Sequence, residues 1–486
     1  MKQLKDILYK VGIESVLGNT FMDIDHLTFD SRDVTATSVF IAIKGTQVDG
    51  HDFIQKAIAG GACAVLCEVI PAEVISGITY VQVLDTHLAV AQMADNFYDN
   101  PSTKLKLVGV TGTNGKTTVA SLLYHLFTNL GYQVGLLSTV KVTVGKADFE
   151  ASHTTPDSIA INRWLHKMVE AGCEYCFMEV SSHGIVQKRT SALRFEGGIF
   201  TNLSHDHLDY HKTFAEYRDA KKIFFDQLPK TAFAITNQDD KNGPIMVQNT
   251  TAKVKTYALK SMADYRAAIL ESQFSGMLMR INGKEIWVQL IGDFNAYNLL
   301  AVYAAAIELG VSEEAVLVEI SKLQSVAGRF QYIVVNQITA IVDYAHTPDA
   351  LDNVIKTINS IRTYNETLIS VVGCGGNRDK TKRPVMAQIA TEESNKVILT
   401  SDNPRFEDPN EILREMEQGV EPQNQKKVMI IEDRRQAIKT ACQLAQNGDI
   451  ILIAGKGHET YQEIEGVRTD FNDLLIVKEY LEQLSK

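Results

Sequence analysis

The stretch LVGVTGTNGKTTVASLLYHLF, Leu107 to Phe127, restricts the fold more than any other part of the chain. A short apolar run of strand character meets an amphipathic run of helical character through a turn of Thr, Gly, Asn and Lys. A strand-turn-helix junction of this kind presents successive backbone N–H groups and a helix N-terminus, which together cradle an anion. Gly112, Thr113, Asn114, Gly115, Lys116, Thr117 and Thr118 therefore form a candidate phosphate loop, with Lys116 as counter-charge and the Thr117 hydroxyl available to magnesium. The loop departs from the pattern G-x-x-x-x-G-K-[ST]: Val110 stands where the first glycine belongs, and glycines fall at Gly112 and Gly115. The flanking strand and helix, rather than the glycines alone, argue against a chance turn.

A chain of 486 residues exceeds one ordinary core and implies two to four domains. Pattern changes divide it into 1–100, 101–328 and 329–486. The first part is a small α/β unit with strand candidates SVFIAIKG and CAVLCEV around a helical DFIQKAIAGGA. In the second, KLVGVTG, YQVGLLS, YCFMEVSS, GGIFTNLS and TAFAITNQ alternate with helical segments, the pattern of a mostly parallel sheet covered by helices. The third repeats it with ITAIVDYA, LISVVGCG, KVILTSD, KVMIIED and DIILIAGKG, a Rossmann-like α/β series. The expected fold class is thus α/β in three domains, with SVAGRF, Ser325 to Phe330, as hinge and ligands beyond the carboxyl ends of the strands.

A net charge of -11, with no basic run or stripe, argues against a nucleic-acid or anionic-membrane partner. The charged N-terminus and the lack of a long apolar run predict a cytoplasmic chain without membrane insertion. Six cysteines are sparse for this length. CEYC, 173 to 176, admits zinc or redox chemistry, but it leads into a strand and lacks a spaced second pair, so buried structural thiols are expected.

Later strand ends add MEVSSHG, with Glu179, and TNLSHDHLDYH, with His205, His207 and His211. Glu179 could complete a magnesium site with Thr117. HDHLDYH taken alone also suits a binuclear zinc hydrolase, and each histidine could instead serve packing; the zinc reading leaves the phosphate loop unexplained.

The ordered set TGTNGKTT, MEVSSHG, DHLDYH, FNAYNLLA, GRF, DYAHTPDAL and GKGHE resembles the Mur ligase family over nearly the whole chain. The resemblance implies an N-terminal UDP-substrate-binding domain, a central ATPase domain and a mobile C-terminal domain. It implies a ligase that converts a carboxylate to an acyl phosphate with ATP, then to an amide with an incoming amine. SDNPRFEDP, 401 to 409, resembles the segment that recognises meso-diaminopimelate in the branch adding it to UDP-N-acetylmuramoyl-L-alanyl-D-glutamate for peptidoglycan. Small-molecule substrates and a monomer are the expected partners and state.

Carried over position by position, the resemblance makes Lys116, Glu179, His207, Lys221 and Arg329 catalytic. Thr117, Glu179, His207 and Lys221, the last as a carbamate formed with carbon dioxide, would hold Mg2+. Asn295 and Asn298 fall on the adenine side, and Asp343 and His346 reach the nucleotide from the third domain. Ser31, Thr46 and Gln47 fall by the UDP end, and Thr154, Thr155, Ser181, Gln187 and Arg189 by the muramoyl-dipeptide. Arg378, Asp402, Asn403, Pro404, Arg405, Gly455 and Glu459 surround the diamino acid, whose distal carboxylate suits the planar fork of Arg405. Read locally, Lys221 and Lys222 could form a solvated helix face, Asn295 or Asn298 a helix cap, Asp343 a capped turn, and Arg378 a phosphate contact. A lysine-adding ligase, a folylpolyglutamate-type ligase and a nucleotide-gated binding protein are the alternatives.

Overall fold

The computed structural model describes residues 1–45, 48–206 and 210–484, so Thr46, Gln47 and His207 lie outside the described residues. Three sheets organise the chain. The first is five-stranded, in the order Ile13–Leu17, Thr79–Val83, Ala64–Cys67, Ser38–Ile41 and His26–Thr28, parallel except for its first pair. The second is eleven-stranded. Its parallel centre runs Val134–Leu137, Tyr175–Glu179, Lys106–Thr111, Gly197–Phe200, Phe233–Asn237, Lys253–Ala258 and Tyr265–Gln273. The third is six-stranded, in the order Gln331–Val335, Ile338–Asp343, Ile450–Ala454, Leu368–Cys374, Lys396–Ser401 and Val428–Ile430, again parallel except for the first pair.

Each sheet buries both faces, which is why its strands read as unbroken apolar runs rather than alternating ones. Side chains alternate across a strand, so Val108 and Val110 enter the core under helix Lys116–Asn129 while Leu107 enters the opposite one. Leu368 and Val372 likewise face one C-terminal core, and Ile369 and Val371 the other. Helix Asp293–Glu308 is Ala-rich and buried along most of its length, and its small side chains let it pack closely in the same core as helix Lys116–Asn129.

The edges differ from the sequence reading. Lys141–Val144 and Ala147–Glu150 form an antiparallel edge hairpin, Tyr265–Gln273, Gly276–Ile281 and Lys284–Val288 a meander, and Tyr461–Ile464 and Val467–Asp470 a separate ribbon. Ala147–Glu150 and Val467–Asp470 are exposed throughout, so no buried face imprints a pattern on them. All six cysteines are free, and Cys67, Cys173, Cys176, Cys374 and Cys442 are buried, as expected of structural thiols. Among the described residues no helix is long and apolar enough to cross a membrane.

Candidate active site

Strand Lys106–Thr111 lies between Tyr175–Glu179 and Gly197–Phe200, where the chain passes from one side of the sheet to the other; a crevice opens beyond such strand ends. The phosphate loop fills this point. A Cβ on Gly112 would stand 1.9 Å from Thr201 Oγ1, and one on Gly115 2.5 Å from Asn298 Oδ1, with φ of 150° and 88°, so both positions require glycine. Lys116 Nζ donates to the carbonyl oxygens of Gly112 (2.9 Å) and Thr113 (2.8 Å). Thr117 Oγ1 donates to Glu179 Oε2 at 3.0 Å, and Glu179 Oε1 accepts the Thr139 N–H at 2.7 Å. These buried hard oxygens are the donor chemistry that magnesium prefers.

Lys221 corrects the solvated-face alternative. It is 1% exposed, and its Nζ donates to Gly112 O at 2.9 Å while lying 4.6 Å from the Tyr217 ring centroid. Lys222, one position on, turns to Asp226 at 2.7 Å. Burial, reinforced by Lys116, holds the Lys221 amine well below the usual lysine range, and burial also lowers Lys116. The two described histidines of HDHLDYH engage different partners. His205 is 3.9 Å from Asp379, and His211 meets Ser182 Oγ at 2.9 Å. Among the described residues no three His, Cys, Asp or Glu gather as metal ligands.

A cavity of about 390 Å³ lies between the central and C-terminal domains, lined by Asn114, Thr118, Asn298, Arg329, Asp343 and His346, among others. Asn295 and Asn298 are not caps: Gly292 is the N-cap, Asn295 Nδ2 donates to Ile291 O (2.8 Å), and Asn298 Nδ2 to Asn295 Oδ1 (3.2 Å). Sequence reasoning passed over Tyr297 and Tyr344, which also line the cavity. Arg329 Nη2 donates to Thr117 Oγ1 at 3.1 Å, and its guanidinium lies 4.5 Å from the Tyr344 ring centroid. Asp343 accepts the Phe330 N–H at 2.6 Å, which ties the strand end to the SVAGRF segment, and burial pushes its carboxyl up to about 6. His346 turns Nδ1 to Tyr344 O at 2.8 Å, and burial lowers its imidazole to about 4. Asn114 Nδ2 reaches Asp349 Oδ2 of the C-terminal domain at 2.9 Å.

Beside Glu179 the next group forms one connected network. Thr139 Oγ1 donates to Thr154 Oγ1 (3.0 Å), and Thr155 Oγ1 donates to Glu179 O (2.8 Å) and accepts the Ser181 N–H (2.9 Å). Arg189 donates through Nε (3.0 Å) and Nη2 (2.6 Å) to Gln187 Oε1, and through Nη1 to Thr155 O. Ser31 lies in the N-terminal domain after strand His26–Thr28, outside this network.

The third group gathers at neighbouring ends of the C-terminal sheet: Arg378 after Leu368–Cys374, Asp402 to Arg405 after Lys396–Ser401, and Gly455 to Glu459 after Ile450–Ala454. A Cβ on Gly375 would meet Arg405 Nη1 at 3.1 Å and Arg378 Cγ at 3.9 Å, so both arginines flank one point. The Pro404 carbonyl packs so tightly on Gly376 that a Cβ there would stand 1.9 Å from its oxygen. Gly455 has φ of 120° and leaves room for Asp402, whose Oδ2 would be 2.5 Å from a Cβ. Lys456, which sequence reasoning missed, is fully buried, and its Nζ donates to Asn403 Oδ1 (2.8 Å) and Glu459 Oε2 (3.1 Å). Its signal was the lone cation in GKGHE beside the acidic Asp402 and Glu459.

Family models match three segments: "Mur ligase family, catalytic domain" over 23–98, "Mur ligase middle domain" over 110–306, and "Mur ligase, glutamate ligase domain" over 328–457. The chain is 55% identical to the UDP-N-acetylmuramoyl-L-alanyl-D-glutamate--2,6-diaminopimelate ligase of Cytophaga hutchinsonii over 100% of both chains. It is 54% identical to the Bacteroides fragilis protein of the same name, over 98% of this chain and 99% of that one. A solved structure of a ligase of that name superposes with a TM-score of 0.70 at 33% identity, covering 100% of this chain and 99% of the other.

Proposed function

The chain belongs to the Mur ligase family, and we infer that it is an ATP-dependent amide ligase adding meso-2,6-diaminopimelate to UDP-N-acetylmuramoyl-L-alanyl-D-glutamate. One observation carries the choice of amino acid. Arg405 and Arg378 flank a single point at the same sheet end as Asp402 and Glu459, which suits a ligand with both a distal carboxylate and ammonium groups. In this reading 1–100 binds the UDP end through Ser31, Thr46 and Gln47, 101–328 holds ATP, and 329–486 holds the amino acid. In this reading the enzyme works as a monomer, in the cytoplasm where its nucleotide substrates are made.

The D-glutamyl γ-carboxylate attacks the γ-phosphorus of ATP. Its O–P bond forms as the bond to ADP breaks, giving an acyl phosphate. The amine then attacks the acyl carbon, loses a proton, and expels phosphate as the C–N bond forms. Two anions must approach, so the residues' main task is to hold positive charge around the transferred phosphoryl group. Lys116 and Arg329 do this from opposite domains, exchanging their present oxygen partners for phosphate oxygens. Magnesium held by Thr117, Glu179, His207 and a Lys221 carbamate would neutralise charge between nucleotide and carboxylate. Lys221 fits that role because only a neutral amine adds carbon dioxide, and its burial favours the neutral form. Thr154, Thr155, Ser181, Gln187 and Arg189 orient the dipeptide beside Glu179, and Asn295, Asn298, Asp343 and His346 frame the nucleotide.

The test is direct. The protein is incubated with ATP, magnesium and the UDP-dipeptide, with meso-diaminopimelate or L-lysine offered separately, and the nucleotide product is identified by mass. A diaminopimelate tripeptide is expected. A lysine product would keep the ligase and overturn the amino acid, and ADP formation without any tripeptide would overturn both.

A further inference from the structure

The loops around the diamino acid are joined by a buried cation to which none of the roles above assigns a task. Arg383, on helix Lys382–Glu393, is 0% exposed. Its Nη1 donates to Glu407 Oε2 (3.0 Å) and Glu415 Oε2 (2.5 Å), and its Nη2 to Glu407 Oε1 (3.0 Å) and Gly375 O (3.2 Å). Glu407 Oε1 also accepts the Asn377 N–H. One guanidinium thus ties the loop carrying Arg378 to the loop carrying Arg405.

Three further bonds zip the same loops: Gly376 N–H to Asn403 O (2.9 Å), Arg405 Nη1 to Gly376 O (2.7 Å) and Phe406 N–H to Asn377 Oδ1 (3.2 Å). Asn377 and Arg405 have φ of 53° and 54°, left-handed backbone that persists only where surroundings impose it. Each strained residue adjoins or is itself one of the two arginines that would meet the substrate. A cluster built for stability alone has little reason to bury such charge, since apolar replacements of buried ion groups are commonly as stable, and Arg383 Nε is buried without a hydrogen-bond partner among the described residues.

We propose that the Arg383–Glu407 pair is a positioning brace for amino-acid selectivity: it fixes the spacing and aim of Arg378 and Arg405, so that they accept a side chain ending in a carboxylate. This rests on the function proposed above. Arg383 itself touches no substrate.

Arg383→Lys keeps the charge and loses the fork. Glu407→Gln loses the charge pairs of the Arg405 loop with Arg383 and Lys380, and Glu415→Gln loses the ties of Arg383 and Lys380 to helix Pro409–Glu417 while leaving Glu407 in place. For each folded variant, checked by melting, kcat and KM are measured for meso-diaminopimelate, L-lysine and ATP. Arg383→Lys and Glu407→Gln should raise the diaminopimelate KM about tenfold and lower the preference for it over lysine by a similar factor, leaving the ATP KM within about twofold, as misplaced binding groups do. Glu415→Gln should keep the wild-type preference. An unchanged preference in Glu407→Gln, or an equal loss in Glu415→Gln, overturns the brace even if stability falls. If Arg383→Lys does not fold, Glu407→Gln decides. Absence of any diaminopimelate product from the wild-type chain would overturn the functional reading and the brace together, a result the wild-type assay separates from failure of the brace alone.

Discussion

The phosphate loop and the proposed diamino-acid cradle are both polar sites at parallel strand ends, yet their charges are arranged oppositely. At the loop, Lys116 and Lys221 both donate to the Gly112 carbonyl, and Arg329 donates to a hydroxyl, so three basic groups rest on neutral oxygens. In the cradle, Lys456 is already between Asn403 and Glu459, and Arg383 between Glu407 and Glu415. In the proposed nucleotide site the two groups that would meet phosphate, Lys116 and Arg329, are thus lightly engaged and can exchange a carbonyl and a hydroxyl partner for phosphate. A site that distinguishes similar amino acids fixes its framework beforehand, leaving few groups to match the ligand.

The contrast is broken most severely at the loop. Lys116→Ala should lower kcat by about 1,000-fold or more, since a cation beside the transferred phosphoryl acts mainly in the transition state; single-turnover ADP formation checks it. A loss under about tenfold would show that Arg329 alone suffices. In the cradle, Arg405→Ala should reduce the kcat/KM preference for diaminopimelate over lysine by about 100-fold, the scale of an unpaired desolvated carboxylate. The ATP KM should stay near wild type.

Lys221 sharpens the comparison from the side of stability. Burial holds its amine well below the usual lysine range, so as pH falls the unfolded chain takes up a proton that the folded chain resists, and stability falls with it. Lys221→Met should abolish turnover while raising stability by about 1–3 kcal/mol at neutral pH, read as a higher Tm. In the intact enzyme, removing carbon dioxide from the buffer should slow turnover and bicarbonate should restore it. The smallest effect is at the hinge. The Asp343 carboxyl is raised to about 6, so its contribution to stability is fullest below about pH 4, the unfolded range, and is lost as pH rises through 6. Asp343→Asn retains an acceptor for the Phe330 N–H and should flatten the Tm profile between pH 4 and 7 by a few degrees.

Central strands and the phosphate loop were legible because each is a local pattern: Ile450–Ala454 is buried at every position, and Gly112 and Gly115 are demanded by backbone and neighbours at once. Burial of single charges was not. Lys221 and Lys222 are adjacent on one helix, yet one enters the loop and the other meets Asp226, a choice made by the helix's orientation on the sheet. Arg383 escaped for the same reason, since Glu407 and Glu415 come from other turns of chain, and Lys456 because its burial depends on Asn403 and Asp402 from another strand end. The resemblance supplied the order of the motifs; the local reading offered a cap for Asn295 where the N-cap is Gly292 instead.

The hinge contact has a thermodynamic consequence. A Cβ on Gly328 would lie 2.0 Å from His458 N, and one on Gly457 2.7 Å from Gly328 O, so the pivot beside Arg329 is seated in the loop that carries Lys456 and Glu459. If nucleotide favours one domain angle, and that angle favours the amino acid, each ligand must strengthen the other's affinity by the same factor, because linkage is reciprocal. In that case two glycines without side chains would make occupancy of one pocket a variable in the binding isotherm of the other.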